Sequence, residues 1–183
     1  MKRSEPSIHL SATCAARPET VYDLLADLPS HLSWAGTGQS RSYRLIALHA
    51  PDGPARLGTT FTSRGMIPMS SRRWEDRSTV TVAERPATFE FITEGRVDGR
   101  TPMTARWRNR YEIGPTEDGC RVMHSLALVQ VTNPLLRLRL PVLRYLAFKV
   151  GIPLASSRGL RNLIAMAEAR EAIDSRAPGR LAS

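Results

Sequence analysis

Four polar side chains, Asp76, Asn109, Tyr111 and His124, fall where a period-two strand pattern turns a side chain away from water, and Trp34, Trp74 and Trp107 supply aromatic walls around them. A histidine and a tyrosine on one apolar face can polarise a carbonyl or a phenol, and a carboxylate can orient either of them. That is the equipment of an aldol-type cyclisation. His124, Tyr111 and Asp76 are therefore the candidate catalytic groups. Each also has a plainer reading. His124 shares its face with Val122, Leu126 and Leu128, where a lone histidine is as a rule a hydrogen-bonded core residue. Asp76 can instead pair with an arginine at the rim, and Trp34, beside His31, can simply staple a short helix to a sheet. Arg64 and Arg108 have the chemistry to hold a carboxylate, but alternation turns Arg108 outward. The chain has no GxSxG, no phosphate-cradling glycine loop and no HExxH motif, and it shows no paired metal ligands.

The elements that position these residues are mostly short strands. Ser7 to Cys14 alternates Ile8, Leu10 and Ala12 with His9, Ser11 and Thr13, which describes a half-buried strand. Pro18 opens a helix at the position where its missing N–H costs nothing, and Val21, Leu24, Leu25 and Leu28 form the buried face. Pro29 breaks it, and Ser30 caps a second short helix to Trp34. Strands are then expected over Tyr43 to Leu48, Leu57 to Arg64, Arg72 to Glu84, Thr88 to Glu94, Met103 to Ile113 and Cys120 to Val131. Within Arg72 to Glu84 the inward set is Trp74, Asp76, Ser78, Val80 and Val82, and Gly95 to Pro102 reads as a loop. Along Met103 to Ile113, Thr104, Arg106, Arg108, Arg110 and Glu112 face water while Ala105, Trp107, Asn109, Tyr111 and Ile113 face inward. No helix separates the last six strands, so they are antiparallel. The final helix, Leu154 to Ile173, carries Leu160, Leu163, Ile164 and Ala167 at i, i+3, i+4 and i+7, with Met166 widening the stripe.

A chain of 183 residues is enough for one domain with a core of its own, expected over residues 7–174 between a disordered start, 1–6, and a disordered tail, 175–183. The net charge of +9 raises the question of nucleic acid. Nearly all the basic residues are Arg, however, with Lys2 and Lys149 the only lysines, as a GC-rich genome produces, and they form no tract. Nucleic acid is accordingly not an expected partner. The polar start lacks the apolar core of a secretory signal, and no window long enough to span a membrane is free of charge, so the expected location is cytoplasmic. Cys14 and Cys120 lack the spacing of a zinc or redox site and read as reduced thiols in or near the core.

Leu135 to Val150 is rich in Leu but carries Arg137, Arg139, Arg144 and Lys149. One reading packs it over an end of the domain with its basic side chains snorkelling; the other rests it on an anionic membrane. Met66, Ile67 and Met69 form an apolar loop that suits either a lid or the contact of a homodimer.

The segment Val21 to Trp34 (VYDLLADLPSHLSW), the stretch Gly58 to Phe61 and the run Val80 to Phe91 (VTVAERPATFEF) resemble the START-like or SRPBCC superfamily, within it the polyketide cyclase/dehydrase and lipid transport group. The resemblance implies an α+β helix-grip fold. In it a seven-stranded antiparallel sheet curls around a long C-terminal helix, with two short helices between strands one and two and an extra helical segment before the last helix. It implies strand one beside strand seven, which brings Cys14 close to Cys120, unbridged in a reducing compartment. It also implies an apolar cavity between sheet and helix, to be lined by Trp34, Trp74, Phe89, Phe91, Trp107, Asn109, Tyr111, His124, Leu163, Met166 and Ala167. The expected function is binding of a hydrophobic small molecule, lipid-like or polycyclic, with no cofactor and no metal. The alternatives are a polyketide cyclase or aromatase using His124 and Tyr111, and a lipid carrier that touches membranes through Leu135 to Val150.

Overall fold

A computed structural model describes residues 7–36, 44–66, 73–97, 103–131 and 152–176. The fold is α+β. Seven strands form one antiparallel sheet: β1 (Ser7–Cys14), β2 (Arg44–His49), β3 (Thr60–Met66), β4 (Arg73–Glu84), β5 (Thr88–Val97), β6 (Met103–Thr116) and β7 (Gly119–Val131). Their order is β1-β7-β6-β5-β4-β3-β2, so only β1 leaves the sequential meander, crossing to the far edge beside β7. Helix α1 (Pro18–Ala26), a 3₁₀ turn (Leu28–Ser30) and a π turn (Leu32–Gly36) join β1 to β2, and α2 (Ile152–Arg176) closes the described chain.

Period-two patterning decides which face of the sheet the helices cover. Along β6, Thr104, Arg106 and Arg108 are exposed while Tyr111 and Ile113 are buried, as the alternation predicts. On the outer face opposite charges meet across strands, Arg64 Nε with Glu75 Oε1 at 2.6 Å and Arg110 Nη1 with Glu90 Oε2 at 3.2 Å. The expected faces of both helices are also in place. Val21, Leu24, Leu25 and Leu28 of the first helical segment are buried, as are Leu160, Leu163, Ile164 and Ala167 of α2. Helix α1 lies over β5 and β6, while α2 packs against β1, α1 and the π turn.

Polar ties hold α2 in this place. Glu168 Oε1 accepts the Ala15 N–H at 3.0 Å, and Glu171 takes Arg17 Nε at 2.6 Å together with the Thr20 hydroxyl. The two glutamates thus serve the N-terminal end of α1, whose cap residue, Arg17, provides no side-chain acceptor.

Several boundaries differ from the sequence expectation, each for a local reason. The third strand starts at Thr60 because Gly58 has φ of +83°, which breaks extension, and Leu57 stays exposed. Gly95 lies inside β5 and not in a loop, paired with Asp76 on one side and Ala105 on the other. A bulge between Val80 and Val82 shifts the end of β4, so Ala83, opposite Phe89, reaches the core in place of Val82. The expected Cys14 to Cys120 proximity is present: the two are direct partners in the β1–β7 register, both buried and both free. At the β6–β7 turn Gly119 has φ of +139°, and a Cβ there would strike the Cys14 carbonyl. The expected helical segment Leu135 to Val150, both expected disordered ends but for residues 175 and 176, Ile67 and Met69 lie outside the described residues.

Candidate functional site

The inner face of the sheet can be followed as rows of cross-strand partners. At one end the row runs Phe89, Tyr111, His124, Leu10. Two residues along it runs Phe91, Asn109, Leu126, Ile8, then Phe61, Ser78, Thr93, Trp107 and Leu128, and finally Ser63, Asp76, Gly95 and Ala105. Every one of these side-chain positions is set by β-pairing and the two-residue repeat alone.

The first row carries an aromatic cluster. The Tyr111 and His124 rings stack with centroids 4.3 Å apart and 7° between their planes. Trp34 meets Tyr111 edge-on at 6.4 Å, and His31 lies 4.6 Å from Trp34 while also facing Phe61 and Phe91. Local hydrogen bonds bring these two residues in from outside the sheet. The Ser30 hydroxyl donates to the Leu24 carbonyl, and His31 Nε2 donates to the Leu25 carbonyl at 2.8 Å, folding the turn back onto α1. From the other side Asn162 Nδ2 of α2 donates to the Trp34 carbonyl at 3.1 Å.

Burial sets the protonation of this cluster. It lowers both His31 and His124 to about 4, and it pushes the Tyr111 phenol above its usual range. All three groups are neutral near pH 7. The indole N–H of Trp34 and Nε2 of His124 are buried and find no hydrogen-bond partner among the described residues. An unmade bond of this kind costs about 1–3 kcal/mol, and both atoms belong to rings that meet the Tyr111 ring.

Asp76 sits in the last row. From Tyr111 to Ala105 on β6, and from Phe89 to Gly95 on β5, is six residues, roughly 20 Å along a strand. Asp76 therefore orients neither His124 nor Tyr111, and the expected three-residue catalytic constellation is not assembled. No rim arginine among the described residues pairs with it either. Among the described residues Asp76 has no ion pair, and burial raises its carboxyl from 3.8 to about 7. Next to it the Ser78 and Thr93 hydroxyls bond each other at 2.9 Å, and Ser63 lies across the β3–β4 ladder.

Five of the expected lining residues, Trp34, Phe89, Tyr111, Leu163 and Ala167, belong to the hydrophobic core, and three of them keep no exposed surface. Phe89, Leu163 and Ala167 are each 0% exposed, and Phe89 is covered by the edge of the Tyr22 ring at 5.9 Å. The reason is that α1 and α2 sit directly on that end of the sheet. Trp34, Trp74, Tyr111 and His124 are buried on the inner side, whereas Phe91, Trp107, Asn109 and Met166 keep part of their surface. Phe61, Ser63 and Thr93 share this face without being among the expected residues; alternation through β3 and β5 is the signal that could have found them. Cys14 and Cys120 are poor nucleophiles: burial, above all, raises both thiols, Cys120 to about 12.

A groove of about 320 Å³ lies on the opposite, outer face, lined by polar side chains that include Glu94, Arg96, Arg106 and Gln130. It is not the apolar site. Among the described residues no three His, Cys, Asp or Glu side chains come together as metal ligands. No helix among them is long and apolar enough to cross a membrane.

No protein-family model and no curated protein matches the chain. Solved structures do resemble it. Protein CV1439 from Chromobacterium violaceum superposes with a TM-score of 0.61 at 14% identity, covering 89% of this chain and 98% of that one. Protein Ms6760 from Mycobacterium smegmatis gives 0.62 at 16% identity, covering 91% and 93%. TTHA0849 from Thermus thermophilus gives 0.60 at 17% identity, covering 90% and 99%. At these identities the likeness defines a shared fold and no more.

Proposed function

We propose that this chain is a helix-grip protein of START-like type that binds a hydrophobic small molecule, lipid-like or polycyclic, between the inner face of the sheet and its helices. The observation that carries this reading is the buried aromatic cluster with two unfilled polar positions, Trp34 Nε1 and His124 Nε2, both against the Tyr111 ring. Apolar walls with a few converging polar atoms are what such pockets use to fix a ligand's orientation. The strand order, with β1 beside β7 and a long final helix, supports the same reading.

Binding is favoured over cyclisation by the acid–base character of the cluster. A histidine lowered to about 4 is a weak base at neutral pH, and a phenol raised by burial is a weak acid. Their protonation suits hydrogen bonding to a ligand oxygen better than proton transfer. No cofactor enters this proposal.

Native mass spectrometry of the protein purified from its own host tests the proposal. The expected spectrum shows a retained small molecule that is lost in the Trp34→Phe, His124→Leu double variant. Apo protein alone, together with no saturable binding of an apolar dye, would remove the reading.

A further inference from the structure

Asp76 is the one carboxyl, and with no Arg or Lys beside it the one formally charged group, among the described inward positions of β3 to β7. A lone carboxylate on such a face costs several kcal/mol unless a proton or a cation compensates it. Among the described residues the neighbours do not compensate it. Ser78 and Thr93 are satisfied by each other, and the outer-face arginines Arg64 and Arg110 are engaged with Glu75, Glu90 and Glu112. The fold nevertheless makes space for this side chain. Asp76 Oδ1 lies over Gly95, so close that a Cβ on that residue would strike the oxygen. Around it the face carries Trp74 two residues earlier on the same strand and Phe61 on the diagonal of β3. A half-buried carboxylate with aromatic residues at neighbouring inward positions of the sheet matches the recognition of an organic cation, which gains both the ion pair and the ring quadrupoles.

We infer that Asp76 is an amine-recognition point on the inner face, so that the preferred ligand is an apolar molecule bearing a protonated nitrogen. This rests on the binding reading above and gives the ligand a class. The raised carboxyl supports it, because an entering ammonium would supply the missing counter-charge and draw the proton off Asp76.

The experiment titrates the full chain at pH 7.5 with dodecylamine, dodecanol and dodecanoate, each below its micelle concentration, following tryptophan fluorescence and heat of binding. The protein's net charge of +9 by itself favours the anion, so non-specific attraction predicts the opposite ranking. The expected result is that the amine binds at least tenfold more tightly than the alcohol. Asp76→Asn should abolish that preference while leaving dodecanol affinity unchanged, and Gly95→Ala, which displaces the carboxyl, should weaken it. Equal affinity for amine and alcohol, or a preference that survives in Asp76→Asn, overturns the inference and leaves the binding reading standing. If none of the three ligands binds, the inference and the binding reading fall together.

Discussion

Replacing Asp76 by Asn removes a carboxyl that the fold holds at about 7 against 3.8 in an open chain. That difference is about three pH units, or about 4 kcal/mol at 1.36 kcal/mol per unit, as an upper figure for the ionisation the folded state resists. Because the folded value is raised, the stability linked to neutral Asp76 is complete below about pH 4. It is lost as pH rises through about 7. The parent chain should therefore lose stability with a slope approaching about 1.4 kcal/mol per pH unit between these values from this group, and Asp76→Asn should not. The buried amide brings its own cost of about 1–3 kcal/mol, but that cost does not vary with pH. Urea unfolding of both proteins from pH 4.5 to 8, followed by tryptophan fluorescence, reads the difference directly. Asp76→Asn should gain on the parent by several kcal/mol between the two ends. A difference that stays constant across the range would refute the claim that Asp76 is desolvated and unpaired.

The two buried histidines act in the opposite direction. His31 and His124 are each lowered from 6.5 to about 4, so each contributes about 3 kcal/mol above pH 6.5 that is lost as pH falls through 4. Circular dichroism of His31→Gln and His124→Gln should show an acid transition shallower than the parent's, and an unchanged transition would contradict their burial as neutral rings. Phe89→Ala should cost about 3–5 kcal/mol, as large aromatic truncations in a core do, because Phe89 is fully buried under Tyr22. Chemical denaturation measures this, and a loss below about 1 kcal/mol would return Phe89 to the pocket wall.

How far the sequence leads depends on which interaction sets each feature. Alternation on β6 and the i, i+3, i+4, i+7 stripe on α2 are local patterns, so the sides of Tyr111 and Leu163 can be read directly. What alternation cannot give is distance along the strands. Asp76, Tyr111 and His124 all face inward, yet only the β4–β5–β6 register reveals that six residues separate the first from the others. The same limit explains Phe89, Leu163 and Ala167. Their faces follow from the pattern, but whether an inward side chain meets a cavity or a helix depends on where α1 and α2 rest. Gly95 reads as a loop residue because a glycine in a polar stretch signals a turn, whereas here it makes room for the Asp76 carboxyl inside a strand.

The central claim is that the inner face holds a small apolar molecule whose polar atom meets Trp34 and His124. Native mass spectrometry of protein from its own host tests this most directly. The wild-type protein should carry a retained molecule that is absent from the Trp34→Phe, His124→Leu double variant. A spectrum of apo protein alone, with no saturable uptake of an apolar dye, would contradict it.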